Sequence, residues 1–164
     1  MVPDTDLQFQ VALKALREVV MPAVDPANGV ALEQLHLAIV TIDLARSRLP
    51  LRHARIRQEL RNARDLADRI KAVGGKGDLA GLIAEADALL LDPEANEATL
   101  DGTRQRILSA AEDAVAASKG DLEIARAVIA AVRPQTDLAR AWCLPAGFDV
   151  DPQDLPELET LLPQ

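Results

Sequence analysis

Five arginines, Arg52, Arg55, Arg57, Arg61 and Arg64, crowd one short stretch of the chain. A guanidinium is permanently charged and presents a planar fork of donors that fits carboxylate or phosphate oxygens two at a time. At about 100° per residue on a helix, Arg57, Arg61 and Arg64 follow one another at i, i+4 and i+7. They run along one flank of an apolar face formed by Ile56, Leu60, Ala63, Ala67 and Ile70. Arg52 and Arg55, with Arg48, line the other flank if the helix runs past Pro50. Either row can hold an anionic ligand or an acidic protein surface. The competing use is internal. Asp65 and Asp68 stand four residues after Arg61 and Arg64, the spacing of an intrahelical ion pair, and arginine stems cover a core while their heads stay wet.

Two histidines leave few acid–base or metal arrangements. Glu33 and His36 have the Glu-x-x-His spacing of di-iron helical bundles, which also need a second such motif and two further carboxylates. His53 has Pro50 three positions before it, so the second motif is missing. His36 therefore reads as a hydrogen-bonded structural residue. Asp43, two turns on, and Ser47 share its seam between the stripes Leu32, Leu35, Ile39, Ile42 and Leu37, Val40, Leu44. His53 falls at the edge of an apolar face. Cys143 is the only cysteine, which excludes a disulfide framework; at the negative end of a helix no sequence feature activates it, and a buried free thiol is expected. Gly74-Gly75-Lys76-Gly77 follows a helix and lacks the Gly-Lys-Ser/Thr order of a phosphate loop. No catalytic residue, metal ligand or cofactor is assigned.

These residues need helices to position them. The chain has 164 residues, 49% of them hydrophobic, enough for one packed domain. No apolar run approaches the roughly 18 residues of a membrane span. The acidic start Met1-Val2-Pro3-Asp4 does not read as a signal peptide, so the expected setting is the cytoplasm of a bacterium. A net charge of −8 and the absence of tyrosine argue against nucleic-acid binding.

Helical periodicity predicts an all-α antiparallel bundle of about six helices. The first starts at Asp4 or Thr5 and is kinked or ended by Pro22 and Asp25-Pro26. Asn28 caps the second, which runs to Arg48; the third begins at Pro50 and stops at Gly74-Gly75. Asp78 opens the fourth, ending near Leu91. Asp92-Pro93-Glu94 reads as N-cap, N1 proline and first-turn acid of the fifth. That helix passes Gly102 to Ser118. Asp121 caps the sixth, which Pro134 kinks or ends, with a short piece continuing through Trp142. The repeat of Lys76-Gly77-Asp78-Leu79 as Lys119-Gly120-Asp121-Leu122 is ordinary turn chemistry. Alanine in the later helices buries little area per residue, so the stable centre is expected in the second and third helices.

Charge is segregated. Arg46 to Lys76 holds ten basic side chains against three acids, leaving eight basic and 23 acidic for the rest. After Arg140 the charged side chains are all acids, with prolines at 145, 152, 156 and 163 and one helical turn expected at Leu158–Leu162. The domain reading is a bundle over 1–144 and an acidic, proline-containing tail over 145–164. The tail packs on its own bundle or a partner, anchored by Trp142, Cys143 and Phe148.

The run Leu13-x-x-Leu16 through Val20-Met21-Pro22-Ala23, then Leu35-x-Leu37-Ala38-Ile39-Val40, resembles the start of a family of small bacterial helical proteins. Members are often encoded beside acyl-CoA dehydrogenases and aminoglycoside-phosphotransferase-like kinases. The family's Arg-Val-Ala-x-Asn stretch is replaced here by Glu33-Gln34-Leu35-His36. The resemblance covers roughly the first 50 residues, implies an accessory role near acyl-CoA metabolism, and names no catalytic residue.

The expected function is a non-catalytic helical interaction or accessory protein using the arginine-rich helix, the acidic tail or both. Its partner is a protein or a second copy. The alternatives are a binder of a phosphorylated or CoA-like anion, and a metal-dependent enzyme centred on His36.

Overall fold

A computed structural model describes residues 4–147 and 149–162, and the described residues contain no strand. Six long helices account for most of the chain: α1 (Thr5–Ala15), α3 (Gly29–Arg48), α4 (Arg52–Ala72), α5 (Leu79–Leu91), α6 (Glu97–Ala117) and α7 (Leu122–Cys143). Two short ones, α2 (Met21–Ala23) and α8 (Leu158–Leu161), complete the set. The fold is the expected all-α bundle type, and no helix among the described residues is long and apolar enough to cross a membrane. The described residues form two compact units: those up to Pro50 with Cys143–Val150, and Leu51–Trp142 with those from Asp151 on.

The first unit is a helical hairpin. Asp4 accepts the Asp6 amide at 3.3 Å and starts α1; Asn28 accepts the Ala31 amide at 3.1 Å and starts α3. Between α1 and α2 the chain widens into a π-helical turn, Leu16–Val20, closed by the Met21 amide on the Leu16 carbonyl. Pro22 has no amide to give and its ring crowds the turn before it, so a wider turn accommodates it without ending the helix. Only Leu13 and Ile39 are buried on α1 and α3. Two ion pairs join the helices, Arg46 to Asp6 at 2.6 Å and Arg17 to Asp43 at 2.7 Å. The Arg46 hydrogen bond holds the Asp6 carboxyl below its usual range.

In the second unit α4, α5 and α6 pack through Leu60, Ala67, Ile70, Leu79, Ala86, Leu100 and Ile107, all fully buried. The short turns make successive helices antiparallel neighbours. The α4 face is the predicted one, but the stable centre lies in the third to fifth predicted helices rather than the second and third. The two apolar stripes of α3 have too little against them, and Ile39 alone is buried. Alanines suffice in α4–α6 because Ala67, Ala86 and Ala111 let the axes close up around larger side chains. At the end of α4 the Gly75 amide reaches the Ile70 carbonyl at 2.9 Å. A Cβ on Gly75 would lie 2.3 Å from Ile70 Cγ2, so this close approach requires glycine.

Three sequence expectations are corrected. Asn96, not Asp92, caps α6, accepting the Thr99 amide at 2.9 Å; Asp92 instead accepts the Glu94 amide in a local turn. Ala95 between them is buried in the core, which fixes the turn there. α7 runs unbroken through Pro134, because the Ala130 carbonyl deprived of its partner belongs to an exposed residue where water can take the bond. Cys143 is exposed at the end of α7 rather than buried. The turn at Leu158–Leu161 forms as read, and Leu158 and Leu162 pack with Leu138 and Ala141, beside Leu51, Ala54 and half-buried Trp142. Phe148 lies outside the described residues.

Candidate functional site

The arginines of α4 face partners of their own chain. Arg64 grips Asp87 of α5 through Nε at 2.9 Å and Nη2 at 3.3 Å, with Asp65 at 3.2 Å and Asp68 at 3.7 Å. Arg57 donates Nη1 to the Asp92 carbonyl at 2.9 Å and Nη2 to the Leu90 carbonyl, closing the negative end of α5. Arg55 pairs with Glu59 at 2.8 Å and lies 4.4 Å above the Trp142 ring, a cation–π contact. Arg52 reaches Glu97 of α6 at 3.1 Å. Arg61 differs: its Nη1 is buried with no hydrogen-bond partner, and burial followed by the charge of Arg57 pulls its pKa down. The row read as a docking surface is thus mainly a clamp from α4 onto α5 and α6. The tail's Leu158 and Leu162 share a cluster with Ala54 of α4 and with Leu51 just before it.

The two histidines stand apart from these arginine contacts. The His36 ring lies 3.0 Å from the Leu32 carbonyl on an exposed part of α3. Among the described residues no three His, Cys, Asp or Glu side chains converge to hold a metal, so Glu33 and His36 gain no further ligand. His53 is half-buried, the boundary position expected of it.

The face that remains open lies on α7. Its inner row, Ile124, Ala131 and Leu138, is buried. A second apolar row points outward, with Leu122 70% and Ile129 73% exposed and Val132 beside them. Arg126 and Arg133, also seven residues apart and exposed, border that row. Arg133 sits 3.8 Å from Asp137, and Arg126 makes no hydrogen bond or ion pair among the described residues. A helix has only one side toward its own core, so two apolar rows exceed what the fold needs. Leu122 and Ile129 at heptad spacing, out of phase with Ile124 and Leu138, were the sequence signal for this face.

No family model matches the chain, and neither a curated protein nor a solved structure is detectably similar to it.

Proposed function

We propose that this chain is a non-catalytic helical interaction protein whose docking face is the outer side of α7. Its partner is an acidic amphipathic helix. The observation that supports this is the exposed row Leu122, Ile129 and Val132 bordered by Arg126, which has no acid partner among the described residues. Single exposed apolar residues are ordinary, whereas a contiguous apolar strip marks an interface. The complement is a helix with leucine-like residues facing the strip and acids about seven residues apart reaching Arg126 and Arg133. An anionic membrane surface suits the molecule less well, because 26 acids in the chain would be repelled by it. An accessory role, as the N-terminal resemblance implies, accords with this reading.

A photo-crosslinking residue at position 129, compared with one at exposed Glu112 of α6, tests the reading in the cells that make the chain. The expected adduct forms at 129 only, maps to an acidic amphipathic helix of another protein, and disappears with Arg126→Glu. No adduct, equal adducts at both positions, or an adduct to a second copy would overturn it.

A further inference from the structure

A cavity opens within the N-terminal hairpin unit. It encloses about 380 Å³ and is lined by Arg17, Val40, Asp43, Leu44, Ser47, Arg48 and Pro145. Pockets for small molecules start near roughly 300 Å³, with mostly apolar walls and a few polar groups that fix orientation. This one has that division: Val40, Leu44 and Pro145 form the apolar wall, and Arg17, Asp43, Ser47 and Arg48 form the polar end.

From this arrangement we infer that the hairpin binds a small monoanionic carboxylate with a short apolar body. Two independent features point there. Arg17 stands in the π-helical turn Leu16–Val20, a local geometry that recurs at functional sites. It also retains donors. Its Nη2 goes to Asp43 Oδ2 at 2.7 Å, while Nε and Nη1 have no partner among the described residues. Ser47 donates its hydroxyl to the Leu44 carbonyl at 2.9 Å, so Arg17 is the donor left for a ligand.

Charge selects the ligand. Asp43 holds one edge of Arg17 and Arg48 has a partner of its own, so the lining offers one free guanidinium edge, which matches a carboxylate. A phosphate monoester carries about −1.5 to −2 and would face Asp43 with its excess charge unmatched. The carboxylate lies against the free edge of the Arg17 guanidinium, a charge-assisted contact. Its apolar body covers Val40, Leu44 and Pro145 and adds to the burial that Leu13 and Ile39 supply alone. Binding should therefore stabilise the hairpin by mass action. The site shares no residue with the α7 face, so either proposal can fail without the other.

Amide-resolved NMR titration with hexanoate, hexyl phosphate, inorganic phosphate and hexanol tests it. Hexanoate is expected to shift amides of residues 16–20, 40–48 and 144–147. Arg17→Gln should weaken binding by roughly tenfold or more, the loss of a hydrogen bond to a charged group. Val40→Phe narrows the cavity at its apolar wall while leaving the Arg17–Asp43 pair in place, and should weaken binding with helicity unchanged. Absence of shifts with hexanoate at millimolar concentration, equal response to hexanol, or hexanoate affinity unchanged by Val40→Phe would overturn the site. Tighter binding of either phosphate would overturn the carboxylate assignment.

Discussion

The α4–α5–α6 unit and the N-terminal hairpin use the same kinds of residue to different ends. In the first, seven apolar side chains are fully buried, and Arg57 and Arg64 grip α5. In the second, Leu13 and Ile39 are the buried side chains of the two long helices, while Leu7, Val11, Val30 and Leu37 stay exposed and Arg17 keeps unused donors around a cavity. A dense cluster of arginines therefore marks a strong internal clamp here. A single arginine beside a thin core marks the more open site. Charge density along the sequence and availability of charge in the fold are different quantities.

Breaking the dense side should cost most. Leu60→Ala removes a fully buried side chain and is expected to lower unfolding free energy by about 2–5 kcal/mol. Ile39→Ala in the hairpin should fall at or below the low end of that range, since its surroundings can collapse or fill with water. Chemical denaturation of the two variants checks the ordering. Arg64→Ala should cost about 0.5–1 kcal/mol, because its Asp87 partner is half exposed and the pair is screened. Arg126→Ala, with no partner, should leave stability within about 0.5 kcal/mol; thermal melts distinguish the two.

Acid sharpens the contrast through the hairpin. The Asp6 carboxyl is held below its usual value by the Arg46 hydrogen bond. A carboxylate depressed in the folded state stabilises above its unfolded pKa, near 3.9, and that contribution is lost as pH falls through the lower folded value. Circular dichroism from pH 5 down to 2 should show helicity falling as Asp6 protonates, and a shallower fall in Asp6→Asn, which has no carboxyl to titrate at this position. An unchanged acid profile in that variant would contradict the pairing.

Much of the scaffold is legible in the residues. Asn28, Asp78 and Asp121 announce helix starts because a side-chain oxygen bonding an amide two or three residues on is local chemistry. Asn96 was obscured by Asp92-Pro93, an equally good local signal, and burial of Ala95 decided between them. The fate of the arginines was not legible. Arg64 meets Asp87 across 23 positions, and Arg57 bonds backbone carbonyls that carry no sequence mark. Arg17 carries no local mark, since its partner Asp43 lies 26 positions away. Asp43 and Ser47, polar between two apolar stripes of α3, were the visible half of that site.

Native-state hydrogen exchange tests the difference between the units most directly. Amides of α4, α5 and α6 should exchange only through global unfolding, while those of α1 and α3 exchange through a lower-energy opening that hexanoate suppresses. Equal protection of the hairpin and the three-helix core in the ligand-free chain would contradict the account.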